Sequence, residues 1–526
     1  MDENAGCFPG IFSQWRFQSF MEASILNIIG HVPVGPSSGL LSRENFSAQE
    51  QTLNYRIRMQ MQSMQNHQSP IRRTGPDHGT DRSQTDTAKT EERNSSAWKK
   101  WNTQAGNCLK LVEESGRPLW EEGMPADRYL AGIFRDARHY GSRDRAFFSE
   151  TFFAFLRWRG WLLKHFGQNH LHERGKLPSV LCAALAAEGM RFPACGIWLE
   201  QTGRKEEEFA EILLLDSPRD RFQAFTHCPV SWEELVPAWT LGEFAFPPGE
   251  SFLKQLQTRP PVWIRMQTPD RERFLAALGK ENTSFICQHE HARNAFRFSR
   301  IRNNLRSLPA FRNGLFEFQD FASQCIGLAC GAKPGERWWD TCAGGGGKTL
   351  QLLSMTAPGG RVAASDIREY KLEEMKLRAE RAGFRHIDSF RWDGTENIPE
   401  FENYAPFDGI LVDAPCSSSG RWRRNPEARW TLTREKLGEL NRIQKRLLSA
   451  AAEALRPGGT LVYATCSLFR RENEAVVHEF LSRHAEFHPD PFPSPVSGER
   501  TDGMLQILPE NADCDGAFVA RMKKKV

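Results

Sequence analysis

Apolar positions change their spacing along this 526-residue chain, and each change predicts a different architecture. From about Ala97 to Phe166 the period is helical: Leu130, Ile133, Phe134 and Ala137 fall at i, i+3, i+4 and i+7, on one face. Arg145 to Leu163 is dense in apolar and aromatic residues, which predicts a buried helix. Arg157, Arg159 and Lys164 interrupt this stretch, and two readings stand: core packing with snorkelling arginines, or a basic rim for contact with RNA. Helical signals continue to about Leu235. Val262 to Met266 then reads as a strand, Arg271 to Leu278 as a helix and Phe285 to Cys287 as a short strand, with Pro247-Pro248 and Pro260-Pro261 as punctuation.

From about Asn313 onward strands and helices alternate, which predicts a parallel, doubly wound sheet. Trp338-Trp339-Asp340 ends the first strand and Leu350 to Ala357 is a helix. Arg361 to Ser365 is a second strand closed by Asp366, and Lys371 to Gly383 is a helix. Ile410 to Val412 and Leu461 to Ala464 are later strands. Between them Arg434 to Leu455 is helical, with Arg456-Pro457-Gly458-Gly459 as its stop.

Composition adds the ends of the picture. Residues 60–96 are rich in Gln, Ser, Thr, Arg and Asp and nearly free of large apolar residues, so they cannot bury a core. Either a flexible extension or an over-long start accounts for them. The chain is thus expected to be multidomain: a disordered extension over 1–97, an all-α domain over 98–235, a small α/β connector over 236–312 and an α/β Rossmann-like domain over 313–526.

With a hydrophobic content of 40%, a charged content of 25% and a net charge of +4, ordinary globular protein is expected, and the basic excess points only weakly to an anionic partner. No apolar run reaches the roughly 18 residues that span a bilayer, and the N-terminus lacks a clean secretory signal, so a cytoplasmic protein with no membrane partner is expected. The 12 cysteines show no CxxC pair, so no disulfide framework is expected. Cys287-Gln288-His289-Glu290-His291 could ligate a metal but lacks a second half-site, and a polar turn is favoured. No metal is expected. Cys182 and Cys325 read as small buried hydrophobes.

Candidate chemistry starts at Asp340-Thr341-Cys342-Ala343-Gly344-Gly345-Gly346-Gly347-Lys348-Thr349. Glycines between a strand and a helix let backbone N–H groups approach a ligand beyond the carboxyl ends of the strands. An acid closing the next strand can accept both ribose hydroxyl protons, and Asp366 is placed there. Asp393, in Arg391-Trp392-Asp393-Gly394, is a further acid where an adenine amino group could be read. A rival is the P-loop of an NTPase, because Gly347-Lys348-Thr349 ends like one and Asp413 could hold magnesium. A P-loop needs glycine five positions before Gly347, and that residue is Cys342.

Two cysteines each follow a strand-like run: Asp413-Ala414-Pro415-Cys416-Ser417 and Ala464-Thr465-Cys466-Ser467. A thiolate can add to carbon 6 of cytosine, which turns carbon 5 into a nucleophile toward an electrophilic methyl, and then leave again. A neighbouring acid can assist protonation at N3. Each cysteine alone reads as structural, but their shared placement at the ligand edge argues for chemistry.

These residues resemble the RsmB/Nop/Sun family of S-adenosylmethionine-dependent RNA cytosine-5 methyltransferases. The likeness rests on Gly314-Leu315-Phe316-Glu317-Phe318-Gln319-Asp320 with Ala322-Ser323-Gln324, on the glycine loop, and on Asp413-Ala414-Pro415-Cys416-Ser417. It continues through Arg423-Arg424-Asn425-Pro426-Glu427 with Trp430, through Thr465-Cys466-Ser467 with Glu472-Asn473-Glu474, and into Asp515-Gly516-Ala517-Phe518. The resemblance implies that Cys466 attacks carbon 6 and Cys416 helps release the methylated base. The residues alone leave Cys416 open as the nucleophile, as in DNA cytosine methyltransferases. Asp413 is implied beside the base and the cofactor. Cys342, Ala343, Gly344, Gly345, Gly346, Gly347, Lys348, Asp366 and Asp393 are implied at the cofactor, S-adenosyl-L-methionine. Here Gly344-Gly345 stand where the family usually has Ala-Pro, a change that removes rigidity from the loop.

Asp127-Arg128-Tyr129-Leu130 and Gly141-Ser142-Arg143-Asp144-Arg145 are similar to the NusB-like RNA-binding domain of the family's bacterial branch, which favours rRNA over tRNA. Arg423 and Arg424 are the candidates for RNA contact, with Lys348 at the same charged lip, and a monomer is expected. A tRNA enzyme and a non-catalytic RNA-binding assembly factor are the alternatives.

Overall fold

Leu177–Glu188 carries apolar residues on every face, and such a helix must be surrounded. In the computed structural model it is: the helices Ser142–Arg157, Pro193–Gln201 and Pro218–Thr226 pack around it. The structure describes residues 96–301, 304–384, 387–395 and 406–526, so the expected extension lies outside the described residues up to residue 95. Trp101–Val526 belong to one compact unit. Gly189 ends the central helix in the left-handed region, at φ 75°, and the N–H of Met190 returns to the Leu185 carbonyl. Ser217 caps the start of Pro218–Thr226 by accepting from the Asp220 N–H, with Pro218 in the first turn.

Of the two readings for the arginine-bearing helix, burial decides for Arg157 and Arg159. Arg157 pairs with Glu188 at 2.6 Å, and the Arg159 guanidinium lies 3.9 Å from the centre of the Trp120 ring. Burial lowers the Arg159 pKa to about 10. Helices continue past 235 to Glu250–Gln255, because the Pro247-Pro248 break is followed at once by a new helix start at Gly249.

The connector is a four-stranded antiparallel sheet. Its strands are β1 (Val262–Met266), β2 (Ile286–Gln288), β3 (Ala295–Phe298) and β4 (Phe316–Phe318), in the order β2-β3-β1-β4. The expected boundary at residue 313 differs from this: β4 completes the connector, with Arg265 opposite Glu317 and Met266 opposite Phe316. Its alternate phenylalanines join a core of Ile264, Phe274, Phe296 and Phe311, which the large sheet cannot offer them.

The large sheet holds β5 (Arg337–Asp340), β6 (Arg361–Asp366), β7 (Asp388–Arg391), β8 (Phe407–Asp413), β9 (Leu455–Thr465), β10 (Phe487–Pro489), β11 (Met504–Ile507) and β12 (Ala517–Lys524). The order is β10-β12-β9-β8-β5-β6-β7, with β11 also on β12; β5 to β9 pair in parallel and β12 is antiparallel to β9. Both faces are covered, which is why the strands read as unbroken apolar runs. Trp338, Leu411 and Val462 face one core, and Trp339, Ile410 and Tyr463 face the other. The segment expected only to stop a helix, Arg456 to Gly459, lies within β9, where pairing to β8 shifts register between Phe407 and Gly409.

Candidate active site

Strand order reverses between β5 and β8, and in such sheets the crevice beyond the carboxyl ends at that point takes ligands. Asp340, Asp366 and Asp413 end β5, β6 and β8, and Cys466 directly follows β9. The glycine loop bridges the first two. The Ala343 N–H bonds to the Ser365 carbonyl, and the Gly344 N–H donates to Asp366 Oδ2 at 2.9 Å. Gly346 has φ 83°, and a Cβ there would lie 2.3 Å from Met375 Cγ, so only glycine lets the loop turn into the helix Gly347–Thr356. Gly344, at φ 52°, has open space where a Cβ would point. The Gly345 carbonyl accepts from Arg378, whose guanidinium also pairs with Glu317 of β4. The connector therefore reaches the loop through one arginine, a support that no sequence pattern marks.

The acids differ in environment. Burial pushes the Asp340 carboxyl up to about 7 despite a 2.7 Å hydrogen bond from Thr349, and its Oδ1 is buried without a partner among the described residues. Burial also works against ionised Asp366, but hydrogen bonds from Arg368 and Gly344 outweigh it and hold the group below the usual carboxylate range. Nothing in the sequence pattern singles out Arg368, which grips Asp366 through Nε at 2.9 Å. Lys348 Nζ lies 2.7 Å from Asp413 Oδ2. Cys342 and Ala343 sit at the head of the loop, whereas Asp393, just past β7, is exposed and its Oδ1 accepts from the Thr395 N–H.

The two thiols meet. Cys416 Sγ and Cys466 Sγ are 3.3 Å apart, both half-buried. Cys466 is lowered to about 7, first by the hydrogen bond from Cys416, against burial, with Arg421 and Ser418 assisting. Cys416 goes the other way, well above the usual thiol range, because its contact with Cys466 and its burial both disfavour its ionised form. Ser418 Oγ is 3.4 Å from Cys466 Sγ, and Ser418 itself sits at φ 56°, a left-handed backbone uncommon for serine. Among the described residues no cluster of three or more His, Cys, Asp or Glu is arranged to hold a metal, and no helix is long and apolar enough to cross a membrane.

Arg423 corrects the expectation of RNA contact. It is buried, donating to Thr258 Oγ1 and Asp513 Oδ1 at 2.7 Å and to the carbonyls of Arg259 and Cys514. Arg424, partly exposed, pairs with Asp320 and Asp515. Nearby, Glu427 accepts from the Ala126 N–H and Arg429 donates to the Leu235 carbonyl. This segment fastens the helical region to the large sheet; its charges were legible in the sequence, but their burial was not.

A sheet of this order, parallel over β5 to β9, with a glycine loop after its first strand and acids closing its neighbours, is that of a Rossmann-like methyltransferase domain. Residues 328–523 match the family described as 16S rRNA methyltransferase RsmB/F. The chain is 33% identical over 307 residues to ribosomal RNA small subunit methyltransferase B of Photorhabdus laumondii, covering 56% of this chain and 68% of that one. It is 35% identical over 296 residues to the protein of the same name in Proteus mirabilis, covering 55% and 66%. With a relative from Bacillus subtilis the match is 35% over 230 residues, 43% of this chain and 51% of the relative, so the chain spans about half the length of that protein. The crystal structure of PH0851 shares the fold, with a TM-score of 0.62 at 23% identity over 79% of this chain and 98% of that one. The chain belongs to the RsmB/F branch of the RsmB/Nop/Sun family.

Proposed function

We propose that the chain is an RNA cytosine-5 methyltransferase that acts on small-subunit ribosomal RNA, with Cys466 as nucleophile. The thiol pair carries this reading: Cys416 Sγ and Cys466 Sγ lie 3.3 Å apart beyond the ends of β8 and β9, and the contact favours ionisation of Cys466 over Cys416. The relatives' names supply the RNA class.

Cys466 Sγ adds to carbon 6 of a cytosine that has been unstacked into the crevice, since a stacked base cannot present that carbon. Asp413 assists protonation at N3. Carbon 5 takes the methyl and then gives its proton to solvent; the electrons of that bond restore the ring double bond as the carbon 6–sulfur bond breaks, the N3 proton returns to Asp413, and the thiolate is released, with Cys416 assisting. S-adenosyl-L-methionine, when bound, supplies the electrophilic methyl.

The residues present fit that group. An open space faces Gly344, the buried Asp340 Oδ1 lacks a partner among the described residues, and carboxylates at the ends of three adjacent strands suit a cationic ligand bearing a ribose diol. Cys342 to Lys348 with Asp366, Asp393 and Asp413 would hold it. The helical region over 98–235 is proposed as a NusB-like RNA-binding domain, the four-stranded sheet that ends with β4 as the connector, and the chain beyond β4 as the catalytic domain of a monomer. With Arg423 buried, RNA contact at that lip is left to Arg424 and Lys348.

The test uses methyl-labelled donor and unmethylated small-subunit rRNA. Cys466→Ala should transfer no label to cytosine, and Cys416→Ala should stall as an RNA–protein adduct that survives denaturant. If only Cys416 variants fail to form the adduct, the roles of the thiols are exchanged; if the native chain labels no cytosine, the activity is refuted.

A further inference from the structure

Each thiol is followed in sequence by a serine, and both serines converge on one buried carboxylate. Ser417 follows Cys416 and Ser467 follows Cys466; their hydroxyls each donate to Glu472 Oε2 at 2.5 Å. Glu472 Oε1 accepts from the Ser417 N–H at 2.8 Å and from Gln444 Nε2 at 3.0 Å. Gln444 also donates to the carbonyl of Pro415, one residue before Cys416. Next in sequence, Asn473 accepts from Thr465 Oγ1 and donates to the Ser467 carbonyl. Glu472 is fully buried, so every one of these bonds is made away from water, where an unsatisfied carboxylate is costly.

We propose that Glu472 is a positioning residue: by accepting from Ser417 and Ser467 it locks the loop after β8 to the loop after β9 and so sets the separation of the two sulfurs. Any buried carboxylate needs its lone pairs filled, but here the donors come from both cysteine-bearing loops. This one takes three bonds from the Cys416 side, counting Gln444, and one from the Cys466 side, and its four lone-pair directions are all used. The inference rests on the two thiols being the reacting pair.

The separation can be read without turnover. A short bis-electrophile such as dibromobimane bridges two thiols when each displaces one bromide, forming two carbon–sulfur bonds and releasing two bromide ions and the thiol protons. In the full chain, peptide mapping should find Cys416 bridged to Cys466. Glu472→Gln keeps one acceptor oxygen and puts an NH2 in place of the other, so it cannot serve the two hydroxyls and also the Ser417 N–H with Gln444; it should lower the bridging rate about tenfold while single alkylation at Cys466 persists. Under saturating cofactor its kcat should fall about 100-fold with the cofactor KM unchanged, the scale of an ångström of misplacement. Should Glu472→Gln not fold, Ser417→Ala combined with Ser467→Ala removes the same link and should give the same loss of bridging. Bridging at the native rate in natively folded variants overturns the proposal. Loss of bridging in these variants alongside full methylation by Cys466→Ala would retain the positioning role and refute the nucleophile instead.

Discussion

Lys348 Nζ and Asp413 Oδ2 form a 2.7 Å ion pair that joins the start of the glycine-loop helix to the end of β8. Burial disfavours the ammonium, but Asp413 and Asp340 outweigh it and raise the Lys348 pKa. The pair therefore holds the loop against the strand that also leads to Cys416.

Removing one partner leaves the other half-buried and uncompensated. Lys348→Met should destabilise the fold by about 1–3 kcal/mol, and pairing it with Asp413→Leu should recover part of that loss. Denaturant unfolding of the two single variants and the double variant gives the coupling directly; strict additivity would show that the pair contributes nothing.

The thiol pair predicts a pH profile. Below about 7 Cys466 is protonated and unreactive, and above it the thiolate attacks, so alkylation of Cys466 should titrate with a midpoint near about 7. Cys416 should be modified more slowly than Cys466 across the neutral range. In Cys416→Ala the donor is gone and the Cys466 midpoint should move up toward 9.0. Mass spectrometry of iodoacetamide-treated enzyme at stepped pH resolves both sites.

Asp340 predicts an opposite slope in stability. Its folded pKa is raised from 3.8 to about 7, so the folded state binds this proton more tightly than the unfolded chain does. Its contribution is present below the unfolded value and is lost as pH rises through that window. Asp340→Asn keeps an acceptor for Thr349 and removes the buried charge. Each tenfold difference in proton affinity between folded and unfolded chain is worth about 1.4 kcal/mol, so the variant should gain ~1–4 kcal/mol of stability at pH 8 and nothing at pH 4. Thermal melts across that range would show it.

Arg423 separates a structural from an RNA-binding role. Arg423→Ala leaves three carbonyls without this donor and Asp513 with only Arg297 and Gln255, and should cost about 1–3 kcal/mol. The salt dependence of RNA binding by the folded fraction should keep its slope, because no phosphate contact is lost. A reduced slope would return Arg423 to the RNA surface.

Much of this was legible from the chain alone because it is local. Alternating runs ending in Asp340, Asp366 and Asp413 announce parallel strands with acids at their carboxyl ends, and Gly346 must be glycine for the turn it makes. The two cysteines after strands were legible for the same reason. Other features depend on what lies opposite in space. Phe316–Phe318 falls in the segment from Asn313 onward with no strand read there, and only its pairing with β1 makes it a strand of the connector. Arg423 reads as a surface cation, and only burial against Thr258 and Asp513 makes it a fastener. That the two thiols meet could not be read either, since they lie 50 residues apart in sequence and 3.3 Å apart in space. Sequence determined the elements, the loop and the reactive residue types, because these follow from near-neighbour stereochemistry and periodicity. Tertiary structure decided partnership, burial and charge state, because each depends on the groups that packing brings within reach.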